Sequence, residues 1–314
     1  MDLSKLKNNL KTKVLVTGAT GFIGSHIVSE CNKLGYEVIG ISRSKKNSTC
    51  IPRDISGDTD WLDLLDGVDI IIHCAAAVHN MKMSEDIKED FKKINLEGTL
   101  NLARQAKNTA KRFIFLSSIK VNGEETFENQ FLADDIPNPQ DSYAYSKNLA
   151  EKGLKEIAKS SKMDVTIIRP PLVYGPNPKG NLEKIAGFIK KNYPLPFRRV
   201  CKNSRSLVYV GNLVDFIILC AEHEAAANEI FLISDDHDLD TFSLIKLIAS
   251  SLDKKPIIFS IPIFILKSIF IILGKKKYGT RLLGNLSVDV SKNKDLLGWR
   301  PKHSVKDGFN QSFK

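Results

Sequence analysis

The sequence predicts an α/β protein with a doubly wound parallel sheet. Short apolar runs alternate with stretches of helical spacing through the first half of the chain. The first run ends in a glycine-rich turn at Gly18–Gly24, and the third, Asp69–Cys74, is almost continuously apolar, as in a strand buried on both faces. Strands that alternate with helices along a chain indicate parallel βαβ units.

Five strands are predicted in this half, each an apolar run of strand length. They lie at Lys13–Thr17, Glu37–Ile41, Asp69–Cys74, Arg112–Ser117 and Val165–Arg169. Helical spacing separates them at Phe22–Leu34, Glu85–Lys107 and Tyr143–Ser160.

The pattern changes at Pro170, because the proline-rich segment Pro170–Pro178 cannot continue a helix or a central strand. Shorter elements follow, with helices predicted at Leu182–Asn192 and Asn212–Ala221. We therefore expect a leader over residues 1–12, a sheet domain over 13–170 and a smaller, partly interwoven C-terminal domain over 171–314 that binds substrate. Residues 205–235, in round numbers, are expected to return to the sheet domain.

The composition is that of an ordinary globular protein, with 42% hydrophobic and 26% charged residues among 314. The net charge of +10 comes from scattered lysines, which favours a solvated basic face, although such charge also attracts an anionic substrate or membrane. No zinc-finger or RNA-binding signature is present, so nucleic acid is not expected as a partner. The five cysteines show no CxxC spacing, which predicts no metal site and fits a reducing, cytoplasmic location.

The most apolar stretch is Ile257–Leu273, which is followed by Lys275–Lys277. Pro262 and Lys267 interrupt it, and it barely reaches the roughly 17–25 residues of a membrane span. Two interpretations stay open. The stretch is either a buried or dimer-forming helix, or an interfacial helix that makes peripheral contact with an anionic bilayer through residues 257–277, at the inner face of the cytoplasmic membrane.

Gly18, Gly21 and Gly24 are spaced as in a turn that binds a dinucleotide. Without side chains, the backbone can approach a pyrophosphate, which then lies at the N-terminus of the following helix. This makes the sheet domain a Rossmann-type NAD(P)-binding domain. The second strand ends in Ser42 and Arg43, near Lys45 and Lys46, instead of the acid that NAD-specific sites place there. NADP or NAD is therefore expected as cofactor, with NADP favoured.

Tyr143 and Lys147 are four residues apart on a predicted helix and therefore share a face. An ammonium one turn away is expected to lower the pKa of the phenol so that it can exchange protons, while Tyr145 points elsewhere. Ser118 ends the fourth strand, where its hydroxyl can bond a substrate oxygen, although a strand-end cap is the alternative. A proton-transfer pair beside a dinucleotide site predicts a nicotinamide-dependent oxidoreductase.

These residues carry a resemblance. The ordered motifs are TGATGFIG, His73–Ala77, Asn95–Thr99, the Ser117–Ser118 strand end, YxxxK and Arg169–Pro176. Together they resemble an extended short-chain dehydrogenase/reductase of the NAD-dependent epimerase/dehydratase family, typified by UDP-galactose 4-epimerase. The resemblance runs from Lys13 to about Pro301.

The resemblance implies a catalytic trio of Ser118, Tyr143 and Lys147. It also implies that Asp54 and Ile55 contact the adenine and that Ala75 and Ala76 line the cofactor. With the glycine turn and the end of the second strand included, the predicted cofactor residues are Gly18, Gly21, Phe22, Ile23, Gly24, Ser42, Arg43, Asp54, Ile55, Ala75, Ala76, Asn95, Tyr143, Lys147 and Pro170. It also implies that Asn181, Arg205 and Arg281 grip a nucleotide diphosphate, with Ser118 at the sugar. Charge-assisted bonds from two arginines suit a pyrophosphate, although Arg281 can also be read as a surface residue. Lys120 lies near the sugar or is solvated.

The expected reaction is oxidation or reduction at C4 of a UDP-hexose or UDP-N-acetylhexosamine. The segments Val78–Met81, Ser117–Glu124 and Asn203–Val210 resemble a bacterial surface-polysaccharide (O-antigen) branch. Because of Ser42 and Arg43, a 4-reductase of UDP-4-keto-6-deoxy-N-acetylhexosamine is favoured. A UDP-glucose or UDP-N-acetylglucosamine 4-epimerase is the alternative.

Two more functions stay open: an epimerase of lipid-linked sugar diphosphate at the membrane surface, and a non-catalytic NADP sensor. A 4,6-dehydratase is disfavoured because Ile119 and Lys120, not an acid pair, follow Ser118. The family resemblance also predicts a homodimer formed through the helices at 85–107 and 143–160.

Overall fold

The computed structural model describes residues 11–44, 49–77, 85–178 and 180–313. The strands are β1 (Lys13–Thr17), β2 (Glu37–Ser42), β3 (Ile51–Pro52), β4 (Ile70–His73), β5 (Arg112–Leu116), β6 (Asp164–Arg169), β7 (Leu172–Tyr174), β8 (Leu207–Tyr209) and β9 (Ile230–Leu232). Seven of them form one sheet in the order β3-β2-β1-β4-β5-β6-β9, and β7 pairs with β8 in a second sheet.

The α-helices are α1 (Phe22–Lys33), α2 (Leu62–Leu65), α3 (Glu85–Asp90), α4 (Thr99–Ala106), α5 (Ser142–Lys159), α6 (Asn181–Lys190), α7 (Val210–Glu222), α8 (Thr241–Ser251), α9 (Ile263–Ile272), α10 (Lys276–Leu283), α11 (Ser291–Leu297) and α12 (Val305–Ser312). No helix in the described ranges is long and apolar enough to cross a membrane.

Every strand pairing from β3 through β6 is parallel. The order reverses between β1 and β4, so the chain winds first toward one edge of the sheet and then toward the other. All residues of β4 and β5 are buried, because helices cover both faces of the sheet. The predicted doubly wound parallel α/β fold is confirmed.

The long helix predicted over Glu85–Lys107 is helical over nearly its whole length but not uniform. Phe91–Gly98 is a π-helix between α3 and α4. Asn95 is fully buried inside it, where its side chain bonds to groups outside the helix. Such wide turns are uncommon and often accompany functional residues, and apolar spacing alone does not reveal them.

The apolar stretch Ile257–Leu273 is only partly helical. Pro262 is the N-cap of α9, and the preceding segment runs alongside Leu195, where a bridge joins Leu195 to Ile258. Gly274 follows the helix in the left-handed conformation, with φ of 65°.

The chain divides into two compact units. The first comprises the chain up to Val121, together with Pro137–Arg169 and Val214–Phe231, and contains nearly all of the large sheet. The second comprises Asn122–Ile136, Pro170–Leu213 and the residues from Leu232 onward. In the second unit, Tyr174 stacks on Phe309 with ring centroids 4.5 Å apart and donates to the buried Asp235 carboxylate at 2.7 Å.

Candidate active site

The turn between β1 and α1 leaves no space for a side chain at Gly18 or at Gly24. Gly18 has φ of +67°, and a Cβ there would lie 2.9 Å from the backbone nitrogen of Ala75. A Cβ on Gly24 would lie 2.1 Å from the Gly18 carbonyl oxygen. No side chain caps α1 and no acid lies in its first turn, so its first N–H groups remain available to an anion. The turn therefore fits the pyrophosphate of a dinucleotide, with Phe22 and Ile23 opening the helix.

Ser42 ends β2 and is buried, with its hydroxyl already bonded within the protein. Its Oγ lies 3.1 Å from Thr20 Oγ1 and accepts from the Ser44 backbone nitrogen at 3.2 Å. Arg43 is exposed, while Lys45 and Lys46 lie outside the described residues. Ser42 therefore connects the glycine turn to the end of β2, and this bonding alone gives no preference for a 2′-phosphate.

The other predicted cofactor residues follow the strands of the large sheet. Asp54 and Ile55 follow β3, and the Asp54 carboxylate accepts from the Ile55 nitrogen at 3.0 Å. Ala75 and Ala76 follow β4, at the same carboxyl edge of the sheet. Pro170 directly follows β6. Val78–Met81, part of the motif set, lies outside the described residues.

Lys147 is completely buried on α5, where its amine is fixed against the sheet. Its Nζ donates to the Leu116 carbonyl oxygen at 2.9 Å and lies 4.5 Å from the centre of the Phe115 ring. Burial lowers the pKa of Lys147 to about 8, although the nearby Cys74 and Glu151 oppose this shift. Leu116 ends β5, so the amine lies at the strand end that continues into Ser118.

The expected effect of Lys147 on Tyr143 is wrong for this structure. The pKa of Tyr143 is raised to about 12, first because the phenol is buried and second because Asp141 lies nearby. The lysine amine bonds to the sheet, so it does not offset the cost of burying a phenolate. The ring packs edge-on against Phe91 at 5.9 Å, whereas Tyr145 is 56% exposed.

Ser118 lies just beyond β5, where its Oγ accepts from the Lys120 nitrogen at 3.3 Å. The Lys120 amine forms an ion pair with Asp141. Asp141 is also the N-cap of α5 and accepts from the Ala144 nitrogen at 2.8 Å. Lys120 is thus a partner of the helix that carries Tyr143, so it is not merely solvated.

A chain of buried hydrogen bonds connects the glycine turn to α5, and the sequence patterns did not predict it. His73 lies 2.8 Å from Thr17 Oγ1 through Nδ1 and 3.0 Å from Thr99 Oγ1 through Nε2. Burial, and then the charge of Lys147, lower the pKa of His73 to about 3, so the ring is neutral. The signal available in the sequence was a histidine at the end of an apolar strand.

Asn95 continues this chain toward Tyr143. It accepts from the Ala77 nitrogen at 2.7 Å and donates to the Ala77 carbonyl oxygen at 3.1 Å. It also donates to Ser146 Oγ at 3.1 Å, and Ser146 in turn donates to the Tyr143 carbonyl oxygen at 2.8 Å. Asn95 therefore connects the loop after β4 to the first turns of α5.

A buried ion pair, which the sequence patterns also did not predict, joins α5 to β6. Arg169 Nε donates to Glu151 Oε1 at 2.9 Å and a terminal nitrogen donates to Oε2 at 2.5 Å. Ser117 Oγ donates to Glu151 Oε1 at 2.5 Å. Both charged side chains are almost completely buried. The pair fixes α5 against the strand ends that precede Ser118 and Pro170.

The predicted diphosphate-binding residues lie together in the second unit. Asn181, Arg205 and Arg281 line one cleft. Burial, and then the charge of Arg281, lower the pKa of Arg205 to about 10. Two guanidinium groups that line one cleft repel each other, and a phosphate group between them would relieve that repulsion.

A model of the NAD dependent epimerase/dehydratase family matches residues 14–234, more than half of the chain. The chain belongs to this family. The resemblance read from the motifs is therefore confirmed, and this member of the epimerase/dehydratase family is an NAD-dependent enzyme.

Individual proteins that are similar to this chain include 4-epimerases of sugar diphosphates. A UDP-glucose 4-epimerase of Vibrio cholerae is 41% identical over 308 residues, covering 95% of this chain and 94% of the relative. An N-acetyl-alpha-D-glucosaminyl-diphospho-ditrans,octacis-undecaprenol 4-epimerase of Escherichia coli O157:H7 is 29% identical, covering 78% and 74%. A crystal structure of UDP-glucuronic acid 4-epimerase from Bacillus cereus with NAD shares the fold, with a TM-score of 0.76, 21% identity and coverage of 96% and 97%.

Proposed function

We propose that this chain is an NAD-dependent 4-epimerase of a UDP-hexose, with UDP-glucose and UDP-N-acetylglucosamine as the first substrates to test. The supporting observation is the 41% identity to a UDP-glucose 4-epimerase across 95% of the chain. The Ser118, Tyr143 and Lys147 set expected of such an enzyme is present.

This proposal replaces the 4-reductase that the sequence favoured. That preference rested on Ser42 and Arg43, as did the preference for NADP. The relatives support the epimerase better, and the family is described as NAD-dependent. The bonds of Ser42 to Thr20 and Ser44 explain its position without a 2′-phosphate.

NAD would be held at the glycine turn, and when bound it supplies a carrier that accepts a hydride from C4 and returns it. The chain's own groups handle the proton. Tyr143 takes the proton from O4 and gives it back, while Ser118 bonds that oxygen. Lys147, whose pKa is about 8 and whose amine bonds to Leu116 in this structure, would supply positive charge to the phenolate only once the site is filled.

The phenol of Tyr143 has its pKa raised to about 12 by burial in the structure, so it is protonated at neutral pH. In the proposed reaction the filled site would lower this pKa, since positive charge near the phenol favours the phenolate. We also propose that Asn181, Arg205 and Arg281 of the second unit bind the diphosphate, while the first unit binds the cofactor and carries Ser118, Tyr143 and Lys147.

Tyr143→Phe tests the assignment, with Tyr145→Phe on the same helix as the matched control. Loss of the proton-transfer group is expected to lower the rate of UDP-glucose to UDP-galactose interconversion by about 10²–10⁴-fold. The exposed Tyr145 should be replaceable without effect. Purified protein is assayed without added NADPH. Turnover only with added NADPH and a 4-keto sugar would restore the reductase, and no turnover with any UDP-sugar would remove the proposal.

A second candidate is a 4-epimerase of N-acetylglucosamine linked through diphosphate to a polyprenol. It is favoured by the 29% identical relative and by the exposed apolar helix α9. Either reaction would provide sugars for bacterial surface polysaccharide. We also propose a cytoplasmic location for the enzyme. Parallel assays of UDP-linked and polyprenol-linked substrates in detergent distinguish the two candidates.

A further inference from the structure

Helix α9 presents an apolar surface to solvent. Apart from Lys267 and Ser268, its residues are all isoleucine, leucine or phenylalanine. The exposed fraction is 71% for Phe264, 58% for Ile271, 81% for Ile272 and 60% for the adjoining Leu273. Globular proteins rarely leave so contiguous a patch of large apolar side chains uncovered.

One side of α9 packs against the protein through Leu266 and Phe270. Leu266 is buried, and Phe270 lies over Gly279 of α10 so closely that a Cβ on that glycine would be 2.9 Å away. The Ser268 hydroxyl donates to the Phe264 carbonyl oxygen at 3.0 Å. This hydroxyl is thus satisfied inside the helix and need not be hydrated.

The sequence around α9 is basic and contains no acid. Between residues 254 and 281 there are seven cations and neither aspartate nor glutamate. The cations are Lys254, Lys255, Lys267, Lys275, Lys276, Lys277 and Arg281. Lys267 and Lys276 line a cleft of about 190 Å³ between α9 and α10, with Glu125 as the opposing charge. An apolar face with positive charge at its end is complementary to a bilayer of anionic lipid.

We propose that α9 and the lysines 275–277, here called the α9 surface, bind peripherally to an anionic phospholipid bilayer. The helix has ten residues and is about 15 Å long, half of a hydrocarbon core of about 30 Å, so it lies in the interface and does not span it. Phe264, Ile271 and Ile272 enter the acyl region. The lysines contact lipid phosphates, and the cleft beside Lys267 and Lys276 can receive one of them.

A second copy of the chain is a poorer occupant of this surface. A two-fold dimer places the same patch of each subunit against the other. The lysines of the α9 surface would then approach the same lysines of the second copy, and Glu125 is one acid against the seven cations of residues 254–281. Such like-charge juxtaposition disfavours association.

The test is co-sedimentation of the full chain with vesicles of phosphatidylglycerol and phosphatidylcholine, compared with phosphatidylcholine alone. We expect binding to the anionic vesicles that weakens as salt is raised. Ile271→Glu/Ile272→Glu and Lys275→Glu/Lys277→Glu should each reduce the bound/free ratio at least about tenfold, because charged groups enter acyl chains poorly and surface lysines are attracted to anionic lipid. Leu62→Glu, on helix α2 and 67% exposed, is the matched control and should bind as the parent does.

Equal sedimentation with both vesicle types, or unchanged binding of the two α9 variants, would overturn the proposal. A concentration-dependent dimer that Ile271→Glu/Ile272→Glu dissociates would identify a second copy as the occupant instead. Membrane binding by the α9 surface does not depend on the proposed function. The variants change no residue placed in the catalytic machinery, and their thermal melting midpoints, measured in parallel, should equal that of the parent and report folding.

Discussion

The buried pair of Glu151 and Arg169 gives the sharpest prediction about stability. Both side chains are 2–3% exposed, and the carboxylate accepts two bonds from Arg169 and one from Ser117. Glu151→Gln keeps the size of the side chain but removes the negative charge that faces the guanidinium. Removing one member of a buried pair typically costs about 3–5 kcal/mol, because the other charge stays in a poorly solvated environment.

The same helix provides a matched control. Glu156 pairs with Lys159 at 2.8 Å, but both side chains are 71% exposed. Water solvates these charges whether or not they are paired, so Glu156→Gln should change the free energy of unfolding by less than about 1 kcal/mol. The two variants make the same chemical change on one helix and differ in burial.

Urea unfolding followed by tryptophan fluorescence measures the difference. The chain has two tryptophans, Trp61 in the first unit and Trp299 in the second, and α5 belongs to the first. In a Trp299→Phe background, Trp61 alone reports the unit that contains the ion pair. The expected midpoint for Glu151→Gln is well below that of Glu156→Gln.

The double variant Glu151→Gln/Arg169→Met tests whether the two charges are coupled. Replacing both charges removes the unbalanced guanidinium, so the pair of changes should cost less than Glu151→Gln alone. Equal urea midpoints for Glu151→Gln and Glu156→Gln would refute the assignment of a coupled buried charge pair. So would a double variant whose loss of stability equals the sum of the losses of Glu151→Gln and Arg169→Met measured singly.

Gly18 and His73 of the first unit give two more predictions. Gly18→Ala should lower NAD affinity and thermal stability more than Gly35→Ala, because both glycines have positive φ but only Gly18 lacks space for a Cβ. Isothermal titration measures the NAD affinity of the two variants, and thermal melts measure their stability. Equal effects would contradict the close approach of the turn to Ala75. His73 has a pKa of about 3 in the folded state and about 6.5 in the unfolded state, so the unfolded state binds a proton first as the pH is lowered. The free energy of unfolding therefore decreases as the pH falls below about 6.5, by about 2 kcal/mol at pH 5. His73→Asn should lack this part of the pH dependence in urea unfolding at pH 7 and pH 5, and identical slopes for both proteins would contradict it.

The parts of the site that depend on local spacing could be predicted from the sequence. Three glycines within seven residues predict the glycine turn. A single apolar periodicity predicts the helix that carries Tyr143 and Lys147. Both features follow from backbone geometry over one or two turns of chain. The bounds of the five predicted strands also agree within a residue or two, since buried parallel strands leave long apolar runs, whereas the short strands β3, β7, β8 and β9 were not predicted.

Features that depend on tertiary contacts could not be predicted in this way. Asn95 bonds to Ser146, 51 residues away, and no spacing rule connects them. The direction of the pKa shift of Tyr143 was also missed, because it depends on how deeply the phenol is buried and on where the Lys147 amine finds its acceptor. Periodicity places a lysine on a face but does not determine its hydrogen-bond partner.

The buried bonds around His73 and Asn95 connect the glycine turn to α5, the helix that carries Tyr143. Thr17 precedes Gly18 in the chain and contacts His73, while Asn95 contacts Ser146, which bonds the Tyr143 carbonyl oxygen. The side chains in this network are neutral, and neutral groups keep their bonds when the charge of a bound cofactor changes. Under the proposed function, such a network would hold Tyr143 in one position relative to the glycine turn while charge moves in the site. The depressed pKa of His73 then serves the site, because a protonated ring would lose an acceptor toward one of its two threonines.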